Sequence, residues 1–428
     1  MPYFPDIEAL AREIQDWADL RHEQGGATAP VLARLRRALK QARQDLVRLP
    51  GARNLREAEP DELEAIRRLR PAGPRVLAKK LSDAEYRKRL RGAWLGRAAG
   101  CVLGAPVENW TIDAMEGLAA RNGTPFPPRD YWSDHPNPGE PCYLVSRIRD
   151  FLKGQIRAVP ADDDLGYTLL GLLILEACGP EFTTEEVGDA WINYLPLACT
   201  AEHVALTNLK RGVSAQRAGI VNNLYLEWIG ADIRCDPWAY AAPGWPEKAA
   251  ELAYRDAYLS HRRNGIYGSM FFAAAISAAF VLDDPLEALR LGLTEIPAKC
   301  RLARDIRWAL RQAPALTGWR EARALVDKRF QGMNAVHTNN NACLTVFGLA
   351  LGKQDFTRTI GITVAMGLDN DCTAATAGSL LGAILGIEGI PGHWWKPFRN
   401  RVQSYLNGVP EFRNSDIVRR FEKLRIRP

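Results

Sequence analysis

Residues 367–386 have the sequence GLDNDCTAATAGSLLGAILG, in which two carboxylates, Asp369 and Asp371, precede a run of small and apolar residues. The length and composition of that run predict a buried helix. An isolated buried carboxylate costs several kcal/mol unless it is paired, hydrogen-bonded or bound to a metal ion. Since the segment contains no Lys or Arg, we expect the two acids to form part of a functional site.

Two segments of the chain carry a glycine at every fourth position, which places the glycines on one face of a helix. They are Gly378, Gly382 and Gly386 in the first segment, and Gly92, Gly96, Gly100 and Gly104 in RGAWLGRAAGCVLGAPVE, residues 91–108. Glycine inside a helix costs up to about 1 kcal/mol relative to alanine. Its repetition therefore indicates close packing against another backbone, and we expect the two helices to be neighbours. Simple tolerance of glycine is the alternative.

Three adjacent carboxylates, Asp162, Asp163 and Asp164, precede a second strongly apolar segment, LGYTLLGLLILEA. Capping and the helix dipole favour acids at a helix start, but three adjacent carboxylates repel one another unless a cation is present. Residues i and i+2 of a helix point about 200° apart, so Asp369 and Asp371 converge only if they lie in the turn before their helix. Oxygen ligands of this kind suit Mg²⁺ or Mn²⁺.

The rest of the chain predicts an all-α fold. Ala- and Leu-rich segments at helical spacing alternate with polar loops, and the period-2 alternation of β-branched residues that marks strands is scarce. Residues 109–160 are rich in Pro, Gly, Trp and Tyr without a sustained period, which predicts a loop layer near the site. The sequence SDAE predicts a capping box in which Ser82 accepts from the backbone and Glu85 reaches back.

Residues 1–80 are rich in Arg and Glu and differ from the main domain, which we place at 81–428. Helical spacing is found in two series, Leu10, Ile14, Trp17 and Leu20, and then Leu32, Leu35, Leu39 and Leu46. Residues 24–27 separate the two series, so we expect a helical hairpin, followed by a Pro- and Gly-punctuated connector to about residue 74. This N-terminal helical extension could pack on the main domain, be a dispensable arm, act as a lid or mediate dimerisation. The oligomeric state of the protein stays open.

Composition narrows the class of protein. The 428 residues are 47% hydrophobic and 25% charged, as in a globular protein. The net charge of +6 comes from arginines spread along the chain, so a nucleic-acid partner is not indicated, whereas an anionic small molecule would suit it. Eight cysteines show no CxxC pair and no zinc-type spacing. Without a signal peptide or an apolar run long enough to span a membrane, we expect a cytoplasmic protein with reduced thiols.

Three motifs resemble the ADP-ribosylglycohydrolase family, which includes the dinitrogenase reductase-activating glycohydrolases. They are GRAAGCVLGAPVE at 96–108, DDDLGYT at 162–168 and the stretch 367–386, in the same order as in the family. The resemblance covers roughly residues 85–400 and leaves the first 80 residues outside. It implies a compact all-α glycosidase with one or two Mg²⁺ or Mn²⁺ ions, which hydrolyses the glycosidic bond at the ribose of ADP-ribose.

The resemblance also implies site residues. The metal ligands would be Asp162, Asp163, Asp164, Asp369, Asp371 and Thr373, and catalytic roles would fall to Glu108, Asp163 and Asp369. Glu108 would touch the metal centre or the scissile ribose. NGIYGSM, residues 264–270, loosely resembles a glycine-rich family loop that binds ligand phosphate through backbone N–H groups. That likeness adds Gly265, Tyr267, Gly268 and Ser269 as substrate-binding residues. Alternatively, the two glycines only shape a turn.

Four positions depart from the family pattern. Cys101 replaces an Asp, while Asp162, Leu165 and Cys372 each replace a Thr. A thiol is a poor ligand for a hard cation, so either Thr373 replaces Cys372 as a ligand or a second metal site is weakened. Three functions therefore stay open: removal of ADP-ribose from a protein side chain such as arginine or serine, hydrolysis of a small ribosyl, ADP-ribosyl or nucleotide metabolite, and non-catalytic binding of ADP-ribose or a protein.

Overall fold

The computed structural model describes residues 3–427, and twenty α-helices account for most of them. The first ten are α1 Pro5–Glu23, α2 Ala29–Arg48, α3 Arg53–Ala58, α4 Leu63–Leu69, α5 Asp83–Gly104, α6 Ile112–Asn122, α7 Asp163–Cys178, α8 Thr184–Tyr194, α9 Thr200–Lys210 and α10 Ala215–Ala218. The others are α11 Asp236–Ala241, α12 Pro246–Ala257, α13 Asn264–Ala279, α14 Pro285–Gly292, α15 Arg301–Gln312, α16 Trp319–Arg329, α17 Thr338–Gly352, α18 Phe356–Ala365, α19 Asn370–Leu385 and α20 Asn414–Lys423. The predicted all-α class is confirmed.

One small sheet accompanies these helices within residues 3–427. Strand β1, Arg401–Gln403, pairs antiparallel with β2, Glu411–Arg413, and Val402 lies opposite Phe412. All eight cysteines are free thiols. None of the helices between residues 3 and 427 combines the length and the hydropathy that crossing a membrane requires.

The chain divides into two compact units. The smaller contains the helices up to Glu57 together with Lys328–Asn334, and the larger contains Ala58–Asp327 and the residues from Ala335 onward. The boundary predicted at residue 80 stays a prediction. In the smaller unit, α1 and α2 form the predicted hairpin, and its turn includes Gly25 at a φ of +73°. No residue of either helix is buried.

In the larger unit, α5 and α19 pack against each other through their glycines. A Cβ atom added to Gly96 would overlap the carbonyl oxygen of Gly378, and one added to Gly100 would overlap that of Ala374. The contacts run in opposite directions along the two helices, so the pair is antiparallel and the end of α5 meets the start of α19. The prediction that the two glycine-patterned helices are neighbours is confirmed.

Other helices enclose this pair. Every residue of α13 is buried, and α19 is buried along nearly its whole length. Helices α17 and α18 pack on α19, while α12 and α14 pack on α13. A helix that is apolar on all sides belongs in the interior of a large domain. The starts of α7 and α19 are therefore held in a closely packed environment.

Three local expectations need correction. Residues 109–160 contain a helix, α6, which Thr111 caps by accepting a hydrogen bond from Ala114 N at 3.2 Å. The connector after α2 contains the short helices α3 and α4. Ser82 caps α5 as expected, with Glu85 N as its donor at 3.1 Å. The Glu85 carboxylate, however, accepts a hydrogen bond from Arg89 Nε at 2.8 Å, so only the Ser82 half of the capping box is observed.

The remaining loop layer lies against the elements that carry the acids. Trp132 Nε1 donates to Leu103 O near the end of α5 at 3.0 Å. Ser146 Oγ donates to Ala161 O, directly before the acid triplet, at 2.7 Å. Both donors are buried. These hydrogen bonds confirm the expectation that loops of this segment lie near the site.

Candidate functional site

Three acidic side chains converge where the end of α5 meets the start of α19. After α5, a short 3₁₀ turn at Ala105–Val107 leads to Glu108, while Asp369 and Asp371 stand at the start of α19. Carboxylate oxygens of Glu108, Asp369 and Asp371 all lie within 4.8 Å of one another. Both aspartates are buried and Glu108 is exposed, so this group opens to solvent at Glu108.

A second group forms where α7 meets the side of α5. Cys101 Sγ and carboxylate oxygens of Asp162 and Asp164 lie within 4.8 Å of one another, and all three residues are buried. Asp162 is the N-cap of α7 and accepts a hydrogen bond from Asp164 N at 3.0 Å. Asp163 belongs to neither group and is only half-buried. The triplet therefore consists of the N-cap residue of α7 and the first two residues of that helix.

The backbone before α19 is held by several hydrogen bonds. Gly367 and Leu368 both have left-handed φ values, +70° and +64°. Asn109 N donates to Leu368 O at 3.0 Å, which links the segment after Glu108 to the turn. Asn341 Oδ1 accepts from Asp369 N at 3.3 Å. Asp369 lies in the turn before α19, as expected, but Asp371 already belongs to the first turn of the helix. The two carboxylates converge nevertheless, so the expectation that both must precede the helix was wrong.

Burial and mutual repulsion together raise the pKa values of the acids. Glu108 is exposed as a residue, but the charge of Asp371, followed by the reduced hydration of the carboxyl group among the other acids, raises its pKa to about 9. Burial, followed by the charge of Asp371, raises the pKa of Asp163 to about 7. For the same two reasons the pKa values of Asp164 and Asp369 lie well above the ordinary value. Burial also raises the pKa of Asp371. A bound cation would relieve this repulsion.

The group of Glu108, Asp369 and Asp371 fits a divalent cation. Its donors are all carboxylate oxygens, the hard ligands that Mg²⁺ and Mn²⁺ prefer. Asp371 Oδ1 is buried and has no hydrogen-bond partner among the described residues. An unpaired buried carboxylate oxygen is costly, and a cation would satisfy it. These observations support a metal site at this group without identifying the ion.

The group of Cys101, Asp162 and Asp164 fits a hard cation less well. Its third donor is a sulfur atom, which is a soft ligand. Burial raises the pKa of the Cys101 thiol well above its usual range, so the sulfur stays protonated at neutral pH. Moreover, Arg97 Nη2 lies 3.3 Å from Asp164 Oδ1 and already supplies positive charge there. The two groups therefore differ in their suitability for metal.

Comparison with known proteins identifies the family of the chain. The sequence model of the ADP-ribosylglycohydrolase family matches residues 82–424. This chain belongs to the ADP-ribosylglycohydrolase family. It is also similar to a solved structure of an ADP-ribosylglycohydrolase-related protein complex, with 21% identity and a TM-score of 0.53 over 80% of this chain and 98% of the other. At that identity the likeness concerns the fold. A search of curated proteins found no significant match.

Within this family member, α1 and α2 precede the region that the family model matches. Cys372, where the family has Thr, is buried, and burial raises the pKa of its thiol well above the usual range. Thr373, proposed as its replacement, donates a hydrogen bond from Oγ1 to Asn370 O at 3.4 Å, within its own helix. A metal-binding role for Thr373 stays a prediction.

The prediction of a glycine-rich loop at residues 264–270 was wrong. These residues form the first turns of α13, and Tyr267 N donates to Arg263 O, so that N–H group is not free to hold phosphate. The Tyr267 hydroxyl donates to Pro60 O. Gly268 lies directly against the Asp232 carboxylate. The fully buried environment overrides the turn preference of the glycines.

Gly265, Tyr267, Gly268 and Ser269 are all buried, and none of them belongs to either acid group. The Ser269 hydroxyl is buried and has no hydrogen-bond partner among the described residues. A substrate-binding role for these four residues of the family member stays a prediction.

Sequence reasoning missed Arg97, the counter-charge of the site. Arg97 is fully buried in α5, donates to Asp164 O at 2.7 Å, and its Nη1 lies 2.7 Å from Asp236 Oδ2. It also donates to Ile233 O at 2.6 Å and to Thr168 Oγ1 at 3.0 Å. An arginine between the glycines of a helix predicted to be buried was the available signal. Arg97 therefore fixes the start of α7, and with it Asp164, relative to α5.

Proposed function

We propose that this chain is a divalent-metal-dependent hydrolase that cleaves the glycosidic bond between ADP-ribose and a modified acceptor, such as an arginine or serine side chain. The observation that carries the proposal is the convergence of Glu108, Asp369 and Asp371 within 4.8 Å at a solvent-accessible position. Family membership supports ADP-ribosyl compounds as the substrate class. The ion would be Mg²⁺ or Mn²⁺, held by the buried carboxylates of Asp369 and Asp371, with the exposed carboxyl group of Glu108 beside it.

Glu108 is suited to managing a proton. It is exposed, and Asn109 Nδ2 donates to its Oε1 at 2.9 Å. The charge of Asp371 raises the pKa of Glu108 to about 9 in the metal-free site, and a bound cation would lower that pKa. A carboxyl group beside a glycosidic bond can protonate the leaving atom and afterwards accept a proton from water. We therefore assign Glu108 as the acid–base residue.

The aspartates have a different role. When bound, the divalent cation supplies a Lewis acid and lowers the pKa of water. Asp369 and Asp371 are buried and fixed at the start of α19, so they would hold the ion in one position. Asp163 is half-buried, with a pKa raised to about 7 by burial and by Asp371.

A second candidate function is hydrolysis of a small ribosyl, ADP-ribosyl or nucleotide metabolite. It is favoured by the changed donor set of the second group, in which Cys101 stands where the family has Asp. Losing one hard ligand would change the cation content and with it the position of the ribose. Such a change would affect substrate preference more than any other property.

The experiment measures ADP-ribose release from arginine- and serine-modified proteins and from small ADP-ribosyl compounds, with Mn²⁺ or Mg²⁺. The double variant Asp369→Asn plus Asp371→Asn should lose activity, by roughly a hundredfold or more, because the cation is no longer held. Asp113→Asn, on the exposed side of α6, is the matched control and should remain active.

Three outcomes separate the hypotheses. Full activity in the double variant would overturn the metal-dependent mechanism. Release from small compounds alone would favour the metabolite hydrolase. Binding of ADP-ribose without release from any substrate would indicate a non-catalytic binding module. In each case a thermal shift with Mn²⁺ reports whether the ion is bound.

A further inference from the structure

The two helices of the N-terminal hairpin carry a heptad pattern. Apolar residues alternate at spacings of three and four along each helix. They are Ile7, Leu10, Ile14 and Trp17 in α1, and Leu32, Leu35, Leu39, Ala42 and Leu46 in α2. This spacing is that of helices that pack side by side in coiled coils and four-helix bundles. Each helix of the hairpin therefore presents an apolar seam.

The seams are not covered. Of the residues that form them, Ile7, Leu10, Trp17, Leu39 and Leu46 are more than half exposed. A groove of about 430 Å³ runs between the helices and is lined mainly by apolar residues of both. Most of the stability of a helix in a protein comes from the packing of its apolar face. The hairpin thus lacks the core that would stabilise it, and another apolar surface must supply that core.

The charges of the hairpin identify the occupant. Helix α1 contains six acidic residues and two arginines, whereas α2 contains six basic residues and one acidic residue. A uniformly acidic partner would be attracted to α2 and repelled by α1, and a uniformly basic partner the reverse. A second copy of the hairpin offers both signs. Two-fold symmetric pairing places like surface patches against each other in opposite orientation.

We propose that residues 5–48 form a four-helix bundle with the same segment of a second copy of this chain, which makes the protein a homodimer. Around the bundle, acidic and basic helices alternate, so every neighbouring pair of helices carries opposite charge and the two like-charged pairs lie on the diagonals. The four apolar seams face inward. Both helices span about 30 Å, so the seams match in length.

The solution mass of the full-length protein tests this proposal. Light scattering or sedimentation equilibrium should give twice the chain mass of 47.6 kDa. Leu39→Asp places a charge in the seam and should shift the protein to the monomer mass, with at least a hundredfold weaker association. Gln44→Asp introduces the same charge in the same helix, away from the seam, and should remain dimeric.

A second seam variant, Leu10→Asp in α1, should dissociate the dimer as well. Wild-type protein that stays monomeric at every concentration would overturn the proposal, as would a trimer or larger assembly. Equal effects of Leu39→Asp and Gln44→Asp would show that charge alone is responsible and would also overturn it. Because the variants change exposed residues, circular dichroism should show that the other helices remain folded in all of them.

Discussion

Two antiparallel helix pairs in this molecule differ in sequence separation, in the residues that line their contact and in burial. Helices α5 and α19 are distant in sequence, pack backbone against backbone through glycines, and are largely buried. Helices α1 and α2 are separated by five residues, line a common groove with large apolar side chains, and contain no buried residue. The first pair fixes the separation of two helix ends, as a chemical site requires. The second leaves apolar surface exposed, as an interface requires.

Enlarging one residue in each pair should give very different losses of stability. In Gly100→Leu the new side chain would overlap the backbone of Ala374, and neither helix can move away because both are enclosed. We expect a loss of about 3 kcal/mol or failure to fold. Ala38→Leu on the exposed side of α2 should change stability by no more than about 0.5 kcal/mol.

Chemical denaturation of both variants, followed by circular dichroism, measures the difference. The Gly100→Leu protein should unfold at a lower denaturant concentration with an unchanged slope. Similar midpoints for Gly100→Leu and Ala38→Leu would contradict the proposed role of backbone contact between α5 and α19.

Metal binding should depend on the acids where the end of α5 meets the start of α19, and not on the hairpin of α1 and α2. With Mn²⁺ at a hundred times its dissociation constant, binding stabilises the protein by about 2.7 kcal/mol. Asp371→Asn removes a buried ligand and should abolish most of this gain. Leu39→Asp should retain it. Thermal unfolding with and without Mn²⁺ checks the prediction, and an undiminished shift in Asp371→Asn would exclude Asp371 as a ligand.

The pH dependence of stability should also originate where the end of α5 meets the start of α19. The pKa of Glu108 rises from an ordinary 4.5 to about 9, so the folded protein retains a proton that the unfolded chain has lost. This contribution to stability is complete below pH 4.5 and is lost as pH rises through 9. The metal-free protein should therefore become less stable over this range, by a few degrees in Tm.

Thermal unfolding at a series of pH values, once with chelator and once with Mn²⁺, measures this effect. The decline should be smaller with Mn²⁺, because the ion neutralises the acids that repel Glu108. Glu108→Gln should flatten the decline in the metal-free protein. An equal slope in the wild type and in Glu108→Gln would assign the pH dependence to other groups.

Local patterns in the sequence predicted both helix pairs. The glycine spacing identified α5 and α19 as neighbours, because only backbone contact accounts for so many glycines in buried helices. Apolar spacing and the break at 24–27 identified the hairpin. Helix α6 was missed because it is short and is surrounded by Pro- and Gly-rich loops. The start of α13 was missed because burial, which a single sequence does not report, outweighs the low helix propensity of glycine.

The candidate site was less accessible to sequence reasoning. Its acids could be named because they stand in motifs, but their division into two groups depends on the register between α5 and α7. Cys101 meets Asp162 and Asp164 at the junction where Arg97 links α5 to the start of α7. Such long-range ion pairs leave little trace in local patterns. Asp236, the other partner of Arg97, lies in no motif at all.

Gly104 packs directly against the backbone of Asp371, and we expect this contact to limit the size of ion that the site accepts. With glycine contacts from Gly92 to Gly104, α5 and α19 cannot separate to lengthen the metal–oxygen distances. Mg²⁺ binds oxygen at about 2.0–2.1 Å, while Ca²⁺ needs about 2.3–2.6 Å and more ligands. We therefore expect a rigid site that discriminates by ionic radius, and comparing the thermal shifts caused by Mg²⁺, Mn²⁺ and Ca²⁺ would measure that selectivity.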